Sequence, residues 1–345
     1  MRTPLARVAV TRLLLALVLT AVPALAACGG GSAKSGASGG ASGSKVTLGF
    51  SAWPGWFPWQ VAHDQGLFAK NGVDVELKYF DSYTDSLTAL ANGSIDANSQ
   101  TLNDTVSSVA GGAKETIVLT NDNSTGNDQI IARPGIGSVA DLKGRTVAAE
   151  QGTVDHYLLL LALKKAGLTE KDITFKPLLT DAAAAAFAAG KVDAVGVFAP
   201  FTDTALKRPG SKAISTSKDF PGAIPDHLAV ASSLVKKEPK TVQALVQTWF
   251  DTLAWIKANK AKAIEIMAKR GGVSVTDYQA YDGGTTIFSL DDNVKAFTPG
   301  TTDANLDFQA KKISDFLVGT KLVDKAPSLD GLLDPTFVKQ ASGAP

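Results

Sequence analysis

Three of the five tryptophans, Trp53, Trp56 and Trp59, fall within seven positions of one another, with Pro54, Gly55 and Pro58 between them. The prolines and the glycine forbid a long regular element there, so the stretch is expected to be a stiff loop presenting aromatic faces. Acids recur further along: Asp81, Asp85, Asp104, Asp122, Asp128, Glu150, Asp155 and Asp203, with His156 directly after Asp155. Ring faces and carboxylates in one place suit the capture of a small nitrogenous cation. The rings contribute about 0.5–2 kcal/mol of cation–π attraction, and a carboxylate accepts charge-assisted bonds from a planar N–H fork. Asp155 and His156 would work as general acid and base only if both side chains converged on one substrate atom. Neighbours on a helix do not share a face, and Thr153-Val154-Asp155-His156 serves equally as a helix N-terminus with a threonine cap and an early acid. His63, His156 and His227 are scattered and there is a single cysteine, so no metal site is expected. There is no phosphate-binding glycine loop with Lys-Ser/Thr, no Gly-x-Ser-x-Gly and no His-Glu-x-x-His. No catalytic residue and no cofactor are expected.

The chain has 345 residues and a formal net charge of +1, which excludes the charge excess of a nucleic-acid binder. With 45% hydrophobic residues it can bury substantial cores, and at this length two domains are the better expectation. Residues 1–27 have a basic start (Arg2, Arg7, Arg12), an apolar run and the ending Leu25-Ala26-Ala27 before Cys28. That is the pattern of an export signal, too short for a stable membrane span. Leu-Ala-Ala-Cys resembles a bacterial lipobox, which implies that Cys28 is acylated and becomes the mature N-terminus. Residues 28–44 are almost all Gly, Ser and Ala and are expected to be a tether that cannot fold. The protein is therefore expected to be exported and held by lipid at the outer face of a membrane.

From Lys45 onward strand-like and helix-like runs alternate. Strands are expected at 46–50, 73–79, 95–98, 116–120, 128–133, 146–149, 173–178, 192–198 and 213–215, with helices between most of them. Repeated βα units with short turns argue for parallel sheets flanked by helices. Pro134-Gly135-Ile136-Gly137 breaks the pattern and is taken as the crossing to a second lobe, with a return near 228–231. The last third is helical; Val242, Leu245, Val246, Trp249 and Leu253 form one apolar stripe at three- and four-residue steps, expected to pack back on the first lobe. The expected domains are thus 45–133 plus 232–345 for lobe 1 and 134–231 for lobe 2, with hinges near 131–136 and 226–232.

Trp53-Pro54-Gly55-Trp56, Gly66-Leu67-Phe68, Gly93-Ser94-Ile95-Asp96-Ala97, Ser138 to Gly144 (Ser-Val-Ala-Asp-Leu-Lys-Gly) and Gly190-Lys191-Val192-Asp193-Ala194 resemble, in order, the nitrate, sulfonate, taurine and thiamine-precursor group of solute-binding proteins. The resemblance implies an α/β, periplasmic-binding-protein-like class II fold, two lobes joined by a two-segment hinge. It implies a monomeric receptor with a small-molecule ligand, and as partners an ABC transporter permease and its cytoplasmic ATPase. Trp-Pro-Gly-Trp with Gly126-Asn127-Asp128 and Val154-Asp155-His156 further resembles binding proteins associated with urea-carboxylase-type nitrogen pathways, for which guanidine-like substrates are inferred; Ala52 stands where that subgroup has an acid. The fold family also includes pyrimidine synthases of thiamine biosynthesis, whose cysteine-rich segment is missing here.

Open α/β sheets bind ligands outside the C-terminal ends of their strands, which places a cleft at 51–59, 80–86, 100–105, 120–129, 150–156 and 198–203. These segments contain no Lys or Arg. The ligand is expected to be an amidine, guanidine or amino-pyrimidine-like compound, touched by Trp53, Trp56, Asp81, Asp122, Glu150, Asp155 and His156. Taurine, another sulfonate or nitrate, held by helix N-termini, is the alternative. Some of the acids, Asp81 and Asp155 among them, are equally placed to cap helices.

Overall fold

The computed structural model describes residues 45–343. The expected signal segment, the acylated Cys28 and the tether lie outside the described residues. Eleven strands are named here: β1 Val46–Phe50, β2 Val75–Tyr79, β3 Ala97–Thr101, β4 Glu115–Ser124, β5 Asp128–Ala132, β6 Thr146–Ala149, β7 Thr174–Pro177, β8 Ala194–Phe198, β9 Lys212–Thr216, β10 Pro225–Ala231 and β11 Thr285–Ile287. They form two sheets, ordered β11-β4-β10-β3-β1-β2 and β7-β6-β8-β5-β9. β1 runs parallel to β2 and β3, and β6 parallel to β7 and β8. Each sheet also holds strands pointing the other way: β10 lies antiparallel between β3 and β4 with β11 antiparallel to β4 at the edge, and β5 lies antiparallel between β8 and β9. The result is the two-lobed α/β class II architecture.

The sheets exchange strands twice, and the exchange differs from the expected boundaries. β5 pairs with β8 and β9, so it belongs to the second sheet; the first changeover lies at 125–127, and the return at 217–224. Pro134-Gly135 is a turn inside the second lobe rather than the crossing. The two changeover segments are tied together, because Ser217 Oγ lies 2.7 Å from Ser124 Oγ and accepts the Gly126 N–H at 2.7 Å. Gly126 has φ +148°, a conformation open to glycine.

The helical last third packs on the first sheet as its apolar stripe requires. In the helix Pro239–Ala258, Val242, Leu245, Val246 and Trp249 are fully buried, and the Trp249 ring lies 4.7 Å from that of Trp59. Trp59 is thus a core residue, its Nε1 donating to Ser99 Oγ at 2.9 Å. The run expected as one helix over 60–70 is two, Pro58–Asp64 and Leu67–Lys70, parted at Gly66 with φ +66°.

The lobes are drawn together by bonds across the gap. Thr84 Oγ1 of the first lobe donates to Glu150 of the second, Val154 N–H donates to Asp104 Oδ2 at 3.2 Å, and Tyr281 O–H donates to Asp203 Oδ2 at 2.5 Å.

Candidate functional site

After β1 the chain makes a tight turn, in which the Trp56 N–H donates to the Trp53 carbonyl at 3.0 Å. This turns both indoles inward, ring centroids 6.5 Å apart. Tyr83 comes within 5.5 Å of Trp56, and Phe198 from the second lobe meets Trp53 and Tyr83 edge-on at 6.2 and 6.1 Å. These rings line a cavity of only about 10 Å³, completed by Thr101, Asp128, Val154, Ile224 and Asp226. It lies where the strands change sheets, between the two lobes. Its volume is about what a single water molecule needs, so this closed form is packed nearly shut and space for a ligand opens only as the lobes part.

The reason for the glycine in Trp-Pro-Gly-Trp is visible here. A Cβ on Gly55 would stand 2.0 Å from Asp122 Oδ2 and 2.3 Å from its Cγ. The missing side chain lets the Asp122 carboxyl come in under the loop, where the Trp53 Nε1–H donates to Oδ1 at 2.9 Å. Asp122 sits in β4, opposite Asp226 in β10.

The electrostatics are one-sided. Asp104, Asp122, Asp128, Asp155 and Asp226 are all buried, none more than 2% exposed. Burial pushes Asp104, Asp122 and Asp128 up to about 7, and Asp155 and Asp226 well above the ordinary carboxylate range; the neighbouring acids push several of them further. Their partners are neutral: Trp53, Thr101, Asn103, Thr180 and the Val154 backbone. Among the described residues no lysine or arginine forms an ion pair with any of them. Asp122 Oδ2, Asp128 Oδ2, Asp155 Oδ1 and Asp226 Oδ2 have no donor, and the Trp56 Nε1–H has no acceptor. Buried polar groups left unpaired are costly, and here they converge. A surrounding with orphan carboxylate oxygens and ring faces accepts a cation that carries N–H donors.

The expected site residues divide into those that meet at this cavity and those that do not. Trp53 and Trp56 line it and Asp122 lies against it, held by Trp53. Glu150 and Asp155 form an adjoining group around Thr180. The Thr180 hydroxyl is 2.6 Å from both Glu150 Oε2 and Asp155 Oδ2. One hydroxyl donates one proton, so Asp155 holds the proton that it gives to Thr180 Oγ1, while Thr180 donates to Glu150. Asp81 is exposed, at the mouth of an outer chamber that it shares with Glu150, Tyr83 and Phe198; the cap of the helix that follows is Ser82, which accepts from the Asp85 N–H. The Thr153 hydroxyl donates to the Glu150 carbonyl and caps nothing.

His156 points away from the cleft. Its ring stacks on Phe175 at 4.4 Å, Nδ1 accepts the Gly152 N–H at 3.3 Å, and Nε2 therefore donates to Glu170 Oε2 at 2.6 Å. Burial lowers its basicity, and with Nδ1 accepting a hydrogen bond the ring carries its proton on Nε2. Asp155 and His156 thus face different partners and make no acid–base dyad. Among the described residues, no group of three or more His, Cys, Asp or Glu is placed to hold a metal ion.

Asp226 is the site residue that sequence reasoning missed. Residues 228–231 were taken as the return crossing and not as part of a strand, and the cleft was sought only at the C-terminal ends of strands. β10 runs antiparallel in its sheet, so its beginning faces the cleft. The available signal was an aspartate directly before His227 and the apolar Leu228-Ala229-Val230-Ala231, a charge at the entrance of a strand buried along most of its length.

Comparison with known proteins agrees with this architecture. A protein of Brucella abortus described as a binding protein is 28% identical over 213 residues, covering 61% of this chain; the chain spans only 66% of that relative's length. The crystal structure of the periplasmic aliphatic sulphonate binding protein SsuA from Escherichia coli superposes with a TM-score of 0.71 at 25% identity, over 85% of this chain and 93% of that one. The desulfurization enzyme DSZB shares the fold, with a TM-score of 0.61 at 18% identity over 86% of this chain and 99% of that one. The model of the NMT1-like family matches residues 39–270, which takes in every strand but β11, the aromatic loop and the buried acids, and the chain belongs to that family.

Proposed function

We propose that this chain is the extracytoplasmic solute receptor of an ABC importer, closing two lobes on a small planar nitrogenous cation of the amidine, guanidine or amino-pyrimidine kind and delivering it to a membrane permease driven by an ATPase. The observation that carries the ligand class is the group Asp122, Asp128 and Asp226, buried carboxyls each with an oxygen lacking a donor, at an aromatic cavity. A carboxylate out of water is stable only when paired or protonated, and a cation with an N–H fork pairs it. Trp53, Trp56, Asp122, Asp128 and Asp226 make the inner contacts in this reading, and Glu150 closes the gap from the second lobe. The finer likeness to urea-carboxylase-associated binding proteins rests on the sequence motifs alone. In the same proposal the receptor is a monomer, exported and anchored by acylated Cys28.

The second reading is a taurine, other sulfonate or nitrate receptor. It is favoured by the sulphonate-binding structural relative and by the Trp56 Nε1–H, a buried donor aimed at no acceptor. The concentrated carboxyls oppose it. A catalytic reading, for which the DSZB fold gives precedent, lacks a converging acid–base pair here. The test is a thermal-shift panel of guanidinium, methylguanidinium, acetamidinium, formylaminopyrimidine, putrescine, taurine, alkanesulfonates and nitrate on protein beginning at Lys45. Stabilisation by planar cations supports the proposal; stabilisation by sulfonates or nitrate alone overturns the cation reading.

A further inference from the structure

We propose that Asp122 and Asp226 together read the charge of the ligand, taking its planar N–H fork in exchange for one proton that the two carboxyls share. This rests on the cation reading above and deepens it. The two residues are direct partners across the antiparallel pair β4 and β10, with a register irregularity immediately after Asp226. Directly opposed side chains in such a pair stand about 4.5–5.5 Å apart at Cβ, where like charges repel. Both are sealed from water, at 0% and 1% exposure, and Oδ2 of each lacks a donor if both are ionised. The chain is built to keep them there: Gly55 makes room for Asp122, and Trp53 holds its other oxygen.

The groups facing the pair offer no counter-charge. Asp128 of β5 and Asp104 of the helix Leu102–Ala110 are acids. Tyr278 of the helix Val275–Ala280 is neutral, its hydroxyl donating to the Pro54 carbonyl at 3.0 Å, and Trp53 and Trp56 are neutral donors. What remains to satisfy the facing oxygens is a proton or a cation. Asp226 is the member pushed further up, by burial and then by Asp122, so the shared proton resides on Asp226 and is donated to Asp122. When a guanidinium or amidinium enters, its N–H groups donate to the two carboxylates and the proton leaves to solvent. The pair goes from one negative charge to two and the ligand brings one positive charge, so the site's net charge is unchanged. An ammonium presents tetrahedral N–H groups and no planar fork, and satisfies the pair less well.

Titration calorimetry with guanidinium and acetamidinium chlorides at pH 8, in two buffers of different ionisation enthalpy, measures the exchange. About one proton released per cation bound is expected, with larger release below pH 7 as Asp122 also becomes protonated in the free protein. Asp226→Asn, which has the same shape and no exchangeable acid proton, is expected to bind at least tenfold more weakly and to release none at pH 8. A second readout needs no ligand. A carboxyl held protonated in the folded state makes stability fall as pH rises from its unfolded value near 4 through its raised folded value. The melting temperature of the free protein should therefore fall between pH 5 and 8, less steeply in Asp226→Asn and in Asp122→Asn. Cations that bind with the same enthalpy in both buffers overturn the exchange while leaving the cation reading intact. Binding by taurine but by no cation overturns both. An unchanged pH slope in both variants overturns the shared proton.

Discussion

Replacing Gly55 by alanine puts one methyl group 2.0 Å from Asp122 Oδ2, 2.3 Å from Cγ and 2.6 Å from Oδ1. Gly55 is not among the residues of positive φ, so the backbone accepts alanine and the damage is confined to that contact. Ordinary van der Waals contact needs about 3.4 Å or more between these atoms, so the carboxyl must retreat by more than 1 Å. It has no free space for this. The hydrogen bond from Trp53 Nε1 is 2.9 Å long and breaks, leaving a buried indole N–H unpaired at about 1–3 kcal/mol. Overpacking adds about 1–3 kcal/mol. The sum is a destabilisation of roughly 2–6 kcal/mol, and at about 2–4 °C per kcal/mol the melting temperature falls by roughly 4–24 °C. The assay is urea and thermal unfolding of four proteins: the parent, Gly55→Ala, Asp122→Ala and the double variant. Because the clash is with one carboxyl, removing that carboxyl should relieve most of the cost, giving a coupling of at least about 1 kcal/mol in the cycle. Gly55→Ala costing less than about 0.5 kcal/mol, or costing as much with Asp122 as without it, refutes the reasoning.

Three further outcomes are expected. Thr84→Ala removes a donor to Glu150 across the lobes and should weaken ligand binding about five- to tenfold, with a larger ligand-bound radius by small-angle scattering; an unchanged affinity and radius count against a bridge that holds the lobes together. His156→Phe keeps the stack on Phe175 and loses the bonds to Glu170 and the Gly152 N–H, both away from the cleft, so calorimetry should show ligand affinity within about twofold of the parent; a tenfold loss would return His156 to the cleft. Cys28→Ser should move the exported full-length chain from the membrane fraction to the soluble fraction, since stable anchoring needs the acyl chains that Cys28 would carry. Membrane retention of the variant rejects the lipid anchor.

Much of the fold was legible because its signals are local. β1 begins and ends where its pattern says, and the stripe of Val242, Leu245, Val246 and Trp249 is buried as its spacing requires. Sheet membership was less legible, since pairing partners are distant in sequence: Asp128–Ala132 looks the same whether it closes the first sheet or opens the second. The prominent Pro134-Gly135 drew the boundary away from Thr125-Gly126-Asn127. β4 was expected to stop at 120 and runs to Ser124, so Asp122 is a strand residue and not a loop residue. The excess of acids over cations in the cleft segments could be read directly. The pairing of Asp122 with Asp226 could not, as it depends on an antiparallel neighbour more than a hundred residues away. His156 was misplaced for a geometric reason: one step along a helix from Asp155 turns the side chain by about 100°, enough to carry it out of the cleft.

The residues lining the inner cavity are all buried, from Ile224 and Asp226 at 1% to Tyr83 and Phe198 at 4%, and Phe198 belongs to the opposite lobe from Trp53 and Tyr83. In the proposed receptor role, a molecule held between these lobes has no route out through a fixed doorway, and departure waits for the lobes to part. The dissociation rate is then capped by how often the protein opens, whatever the ligand's own contacts are worth. Two ligands of very different affinity would share that ceiling and differ in how often an opening lets them escape before the lobes shut again. Residence time in such a receptor is a property of the bonds at Thr84, Val154 and Tyr281 as much as of the pocket. The proposed transporter partner, by prying those bonds apart, would control the moment of release.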